Sequence, residues 1–334
     1  MKNPLVSILI PAYNAERWIA ESLRSAIAQT WPRKEILVVN DGSTDGTAQV
    51  ARQFVSKEVK LFSTETQGLP AAVNFAFRQC QGDYIQELDS DDLISADKIE
   101  LQMAALLRIG SRRILASSPW AHFYHRPRRA RFIANSLWHD LSPVEWLLRK
   151  MGEHLHMQNA TWLMSRELAE AAGPWDVKLH YDQDGEYFAR VLLVSEGTRF
   201  IPEGRVFYRI SGSSQMSNIG RSNTKRDSLL RSIKLHIQYL RSLEESERVR
   251  KACLTYLQNA YVDFYPQRPD IIEELERMAA ALQGRVELPP LRRKYAWLKP
   301  LLGYTATSRV QTSLPLFRSF LENRWDRGMH WMES

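Results

Sequence analysis

One unit recurs through the first ninety residues: an apolar run, a polar cluster, then a stretch of helical spacing. This alternation constrains the fold more than any other feature. Leu5-Val6-Ser7-Ile8-Leu9-Ile10 is stopped by Pro11, and Glu35-Ile36-Leu37-Val38-Val39 ends at Asn40-Asp41-Gly42-Ser43. Unbroken apolar, β-branched runs suit strands covered on both faces, as in parallel sheets. Helices are expected over 15–29, where Trp18, Ile19, Ser22, Leu23 and Ala26 share one stripe, from Thr44 or Asp45 to about Phe54, and over 69–80. Short strands are expected at 59–62 and 83–88. The series predicts a mostly parallel α/β sheet with helices on both faces. Ligands of such sheets bind beyond the carboxyl ends of the strands. The polar clusters 11–16, 40–45 and 89–92 fall at those ends.

The last of these, Asp89-Ser90-Asp91-Asp92, sets three carboxylates in four positions. They repel one another, and a divalent cation is one remedy. Oxygen ligands suit Mg²⁺ or Mn²⁺, and Mg²⁺ usually brings a phosphate with it. The alternative is a solvated turn in which Ser90 or Asp92 caps the next helix.

After residue 95 the pattern loosens. Helices are expected at 97–108, 143–151, 166–172 and 184–194, with strands at 161–164 and 205–210. Ser211-Gly212-Ser213-Ser214 reads as a boundary, and amphipathic helices are expected over 224–243, 246–264 and 269–283. The expected organisation is a catalytic domain over 1–212, its nucleotide half about 1–95 and its acceptor half about 96–212. A helical region with a basic tail follows over 213–334.

The net charge of +7 is unevenly placed. Residues 112–131 hold six arginines and no acid, and 285–334 hold nine Lys or Arg against four Asp or Glu. Such an excess favours anionic partners: a sugar nucleotide, a lipid phosphate or a membrane surface. Arg292-Arg293-Lys294-Tyr295-Ala296-Trp297-Leu298-Lys299 interleaves cations with aromatics, as an interfacial segment would, so 285–334 are a candidate peripheral contact with the inner face of a membrane. Packing of this tail on the catalytic domain, or a dimer contact, is the alternative. Two cysteines without a pairing pattern, no run long enough to span a bilayer and no signal-peptide core predict a cytoplasmic chain with buried thiols.

Several chemistries lack their signatures. There is no G-x-G-x-x-G after the first strand, no Gly-Lys-Ser/Thr loop, no H-E-x-x-H, no Cys-x-x-Cys and no Gly-x-Ser-x-Gly. His122, His125, His154 and His156 lack further ligands at useful spacing.

What remains resembles the family 2 glycosyltransferases with the Rossmann-like GT-A fold. The resemblance is carried by Val6 to Glu16 (VSILIPAYNAE), Ser25 to Thr30 (SAIAQT), Glu35 to Asp45 (EILVVNDGSTD), Gln81-Gly82-Asp83-Tyr84-Ile85 and the acidic tetrad, in order over residues 4–95. It implies inverting transfer from a nucleotide sugar, with UDP as the expected nucleotide, to a hydroxyl of a saccharide or lipid-linked acceptor, as in cell-surface polysaccharide or glycolipid synthesis, with no role for nucleic acid. It implies that Pro11, Ala12 and Tyr13 wall the base, and that Glu16 and Asp41 accept hydrogen bonds from ribose and the base imide, which favours uracil over cytosine. Asp89 and Ser90 would line the same nucleotide site, Asp89 facing ribose or metal, and Asp91 would ligate the Mn²⁺ or Mg²⁺ that bridges the phosphates.

The transfer also needs a base. Tyr181-Asp182-Gln183-Asp184-Gly185-Glu186-Tyr187-Phe188-Ala189-Arg190 matches the family's helix start, with Gln183 where a Glu is usual, and makes Asp184 the candidate. Asp182 and Glu186 are the competing carboxylates. Trp175, in Gly173-Pro174-Trp175-Asp176, could stack on a sugar or pack in the interior. Departures from the family pattern are Asn40 for an Asp, Val73 for an Arg, and no His after Val206-Phe207-Tyr208-Arg209, which puts a third protein ligand to the metal in doubt. A nucleotidyltransferase, or an inactive nucleotide-sugar-binding scaffold of the same fold, is the rival reading.

Overall fold

A computed structural model describes residues 3–211, 219–220, 222–288, 291, 295, 297, 300–304, 307 and 325–329. Strand β1 (Val6–Ala12), helix α1 (Ile19–Ile27), β2 (Lys34–Asp41), α2 (Thr47–Arg52), β3 (Val59–Thr64), α3 (Leu69–Gln79) and β4 (Tyr84–Glu87) realise the expected alternation. The acidic tetrad then leads into β5 (Leu93–Ile94) and α4 (Lys98–Ile109). Next come β6 (Ile114–Ser117), β7 (Trp120–Phe123), α5 (Pro143–Glu153), β8 (Leu163–Ser165), α6 (Arg166–Ala172), α7 (Gln183–Val194), β9 (Gly197–Phe200) and β10 (Val206–Arg209). Three helices follow: α8 (Asn223–Leu243), α9 (Glu247–Phe264) and α10 (Pro269–Ala281).

Seven strands form one sheet in the order β3-β2-β1-β4-β8-β6-β9. β3, β2, β1 and β4 run parallel, so Thr64, Asp41, Ala12 and Glu87 end on the same edge. β8 enters antiparallel between β4 and β6. A second sheet, β5-β10-β7, stands at that edge just after the tetrad.

Alternation along the central strands divides the interior in two, because successive side chains leave a strand on opposite faces. Ile8, Ile10, Ile36 and Val38 meet Ile19, Leu23, Ile99 and Met103 of α1 and α4. Leu9, Leu37 and Val39 face the other way, onto Ala72, Val73 and Ala76 of α3. That second core continues through Trp162, Tyr187 and Phe188 into Ile233, Ile237, Leu240, Cys253 and Leu257 of α8 and α9. Each fully buried Leu or Ile here contributes about 2–5 kcal/mol, judged by its loss on truncation to Ala. Val73, where the family often has Arg, is one of these core contacts.

The strands β6, β7 and β9 were not expected; their four residues carry too little periodic signal among the arginines and aromatics around them. The boundary expected at residue 212 lies outside the described residues. So do Arg292, Arg293 and Lys294 of the proposed interfacial segment. Residues 325–329, however, pack on the segment after β7: Asp326 accepts the Arg126 Nε–H at 2.7 Å and the His125 amide at 3.0 Å. Both cysteines are buried and free, as expected.

Candidate active site

Because β1, β2 and β4 are parallel neighbours, their polar ends become one surface. Pro11 and Ala12 are buried within β1, and Tyr13, just beyond, presents a ring that is 53% exposed. Asn14 takes a left-handed turn (φ 48°) and its side chain accepts from the Thr44 amide at 2.8 Å, tying this loop to the one after β2. Glu16 Oε2 accepts from the Gly46 amide at 3.0 Å. Asp41 is buried and accepts from the Gln67 and Gly68 amides at 2.9 and 2.8 Å. Both carboxylates therefore hold the framing loops, and each oxygen so used retains a second lone pair for a ligand.

The tetrad is folded tightly. Asp89 accepts from Asn159 Nδ2 at 3.1 Å and Gln158 Nε2 at 3.4 Å. Asp92 is fully buried and accepts from Gln158 Nε2 at 2.6 Å and the Arg209 amide at 2.7 Å. Asp92 and Ser90 do not cap a helix: α4 begins at Lys98, four residues past the end of β5, with Asp97 at its N-cap position, so that expectation is corrected. Ser90 is half-buried in the same turn. Arg209 is wholly buried between the Trp18 and Phe123 rings, its Cζ 4.3 and 4.4 Å from their centroids. Its guanidinium reaches the Asp91 carbonyl and Glu21 Oε2, both at 2.7 Å, rather than a tetrad carboxylate.

The negative charge is thus only partly compensated. Burial, then Asp91, pushes the Asp89 carboxyl up to about 7, and Asp184 adds to the shift. Burial also raises Asp91, against the Ser211 hydroxyl and the Arg209 charge. Asp92 is raised well above the carboxylate range by burial and by Asp91 and Asp89. Behind them Glu87 is buried and raised by burial and Asp89; the Trp175 indole relieves it in part, yet neither Glu87 Oε2 nor Trp175 Nε1 completes a hydrogen bond.

The first turn of α7 brings a second group of acids within electrostatic reach of these. Glu186 is bound by Arg190 Nε at 2.6 Å and by the Tyr239 hydroxyl at 2.7 Å. Asp182, in the left-handed region (φ 56°), accepts from the Ser232 hydroxyl and folds over Gly185, where a Cβ would lie 2.1 Å from Asp182 Oδ1. His236 lies 2.9 Å from the Gly185 carbonyl; that acceptor requires the proton on Nε2, so Nδ1 accepts from the Tyr256 hydroxyl. Two of the three acids are therefore committed to structure. Asp184 remains, half-buried and raised to about 6 by burial and then by Asp182, with Lys150 opposing the shift. Its charge is felt at Asp89 and Glu87, so the base candidate and the strand-end acids share one electrostatic neighbourhood.

Among the described residues no three His, Cys, Asp or Glu side chains are grouped to hold a metal by themselves. Asp89 and Asp91 nevertheless fit a divalent cation that draws its other ligands from a diphosphate: the donors are oxygens, and among the described residues no cationic side chain is hydrogen-bonded to them.

Sequence reasoning missed Gln158, Asn159, Arg209 and Lys150. The first two hold the tetrad from 66 to 70 residues away and sit in a short turn without periodicity. Trp175 packs rather than offering a sugar platform: it is 4% exposed and stacked on Tyr187 at 4.7 Å.

The family model described as Glycosyl transferase family 2 matches residues 7–171. The chain is 38% identical over 109 residues to UDP-Glc:alpha-D-GlcNAc-diphosphoundecaprenol beta-1,3-glucosyltransferase WfgD of Escherichia coli, covering 32% of this chain and 43% of that one. It spans 44% and 60% of the length of the first curated relatives it matches, so the likeness is to part of each. Among solved structures, Staphylococcus aureus TarS 1–349 in complex with UDP-GlcNAc has a TM-score of 0.67 at 19% identity, covering 83% of each chain. The mannosyltransferase PcManGT of Pyrobaculum calidifontis, in complex with GDP-Man and Mn²⁺, has a TM-score of 0.54 at 19% identity, covering 98% of this chain and 88% of that one. These likenesses carry the fold, and the expected GT-A arrangement is borne out. Across residues 7–171, the chain belongs to glycosyl transferase family 2.

Proposed function

We propose that the chain transfers a sugar, with inversion, from a UDP-linked donor to an acceptor hydroxyl, with Asp184 as the base. The observation that carries this reading is the meeting of Asp184 with Asp89 in one partly desolvated centre, 95 residues apart in sequence, after the neighbouring acids Asp182 and Glu186 have been taken up by Ser232 and Arg190. A carboxylate raised to about 6 is ionised at neutral pH yet basic enough to take the acceptor proton.

In this reading Tyr13 offers its ring to the base, while Glu16, Asp41 and Ser90 complete the nucleoside pocket. Asp89 and Asp91 would hold Mn²⁺ or Mg²⁺, which when bound neutralises the diphosphate leaving group. Asp184 orients the acceptor hydroxyl for in-line attack at the anomeric carbon and receives its proton. The UDP preference is supported by the UDP-GlcNAc complex of TarS and the metal by the Mn²⁺ complex of PcManGT. The name of the E. coli relative, whose acceptor is a diphosphoundecaprenol glycan, supports a lipid-linked saccharide acceptor. Work at the inner face of a membrane follows from that acceptor and from the basic tail. No described helix is long and apolar enough to cross a membrane.

The test is a panel of UDP-, GDP- and TDP-sugars with Mg²⁺ or Mn²⁺, read as nucleotide release and as thermal stabilisation. Metal-dependent turnover of a UDP-sugar that Asp184→Ala abolishes is expected. Turnover near the parent rate in that variant would remove Asp184 from the role, and stabilisation by no nucleotide would overturn the donor site.

A further inference from the structure

Beyond the acidic centre, the chain gathers four rings that its sequence scatters over 89 positions. Trp120 and His122 stand on β7, Tyr208 pairs with His122 across to β10, and His156 comes from the segment after α5. The ring centroids of Trp120 lie 5.0 Å from His122, 4.8 Å from His156 and 6.0 Å from Tyr208, and His122 lies 5.0 Å from Tyr208 at an interplanar angle of 34°. Trp120 and Tyr208 are half-buried while both imidazoles are exposed, so the cluster has a floor and an open rim.

Its place is fixed by covalent neighbours. Arg209, next to Tyr208, binds Asp92 and the Asp91 carbonyl; Gln158, two residues after His156, binds Asp89 and Asp92. His156 also feels the charges of Lys150 and of Asp182, which stands at the start of α7. We propose that Trp120, His122, His156 and Tyr208 form a subsite for a pyranose ring of the acceptor, adjoining Asp184. This rests on the glycosyl-transfer reading above and names which side of the centre the acceptor occupies.

The chemistry selects a saccharide over an anion. Aromatic faces offer apolar surface to the C–H side of a sugar ring, while ring edges serve its hydroxyls. Desolvation where the rings pack around Trp120 holds both imidazoles below their usual range, His156 at about 4, while their outer edges stay open at the rim, so each is neutral and presents one donor and one acceptor. A phosphate subsite would need cations at these positions. A metal would need a third ligand, and no such group of His, Cys, Asp or Glu exists among the described residues.

The experiment compares the parent with His122→Ala/His156→Ala, with Tyr208→Phe as a milder second variant. Saturation-transfer NMR of methyl β-glucopyranoside and methyl N-acetyl-β-glucosaminide, each at millimolar concentration with and without UDP, reads acceptor-side binding. Affinities for UDP and for UDP-GlcNAc read the donor side. Glycoside contact about tenfold weaker in the double variant, with UDP and UDP-GlcNAc affinities unchanged, is the expected result. Loss of UDP-GlcNAc affinity relative to UDP would reassign the rings to the donor sugar, and unchanged glycoside contact would overturn the subsite. If the parent binds the glycosides but no UDP, the donor reading fails while the ring subsite stands.

Discussion

Two acidic clusters face each other in this molecule, and they dispose of their charge in opposite ways. The turn after β4 carries Asp89, Asp91 and Asp92; the first turn of α7 carries Asp182, Asp184 and Glu186. On α7 the repulsion is relieved internally, Glu186 by the Arg190 guanidinium and Asp182 by the Ser232 hydroxyl. After β4 the relief comes mainly from neutral amides, those of Gln158 and Asn159, and the Arg209 cation spends its Nε–H on a backbone carbonyl. The α7 cluster thus ends with a single uncommitted acid suited to proton transfer. The β4 cluster keeps a pair suited to a cation.

The largest expected effect breaks the first half of this contrast. Asp184→Asn should lower kcat about 10³-fold while leaving UDP affinity near the parent value, measured by turnover and calorimetry. Asp91→Asn addresses the other half and should raise the divalent ion concentration needed for half-maximal rate by about 100-fold. Equal metal demand in both variants would erase the distinction between the clusters.

A structural acid behaves differently. Glu186→Gln should cost about 2 kcal/mol of stability by denaturant unfolding, because it leaves the Arg190 guanidinium, 19% exposed, without its partner. Its kcat per folded molecule should change by less than about fivefold if Glu186 touches no substrate.

The smallest effects are in pH. The base must be ionised, so the rate should fall as pH drops through about 6, the value to which burial and Asp182 raise Asp184. Stability should move the other way. Asp89 and Asp184 have folded values of about 7 and about 6, above the ordinary 3.8, so they favour folding when protonated. Without metal the thermal midpoint should therefore rise as pH falls from 8 toward 5, and saturating Mg²⁺ with UDP should flatten that slope.

How much of this was legible depended on the range of the interaction. β1 and β2 announce themselves because every residue of β1 and all of β2 but Lys34 are buried, and the tetrad because three acids at a strand end are unusual. Asp184 was singled out as the candidate base through its spacing to Arg190, although the structure assigns that arginine to Glu186. Gln158, Asn159 and Arg209 were not found: each acts across 66 to 117 residues, and a lone amide or guanidinium carries no mark of its partner. His122 and His156 had been set aside for want of further ligands, and only the pairing of β7 with β10 reveals that their neighbours are rings.

The repulsion that Asp184 exerts on Asp89 acts in both directions. In the proposed reading, a divalent cation on the strand-end pair would therefore ease ionisation of Asp184. A cleft without that cation would thus hold Asp184 protonated up to a higher pH than one that carries it.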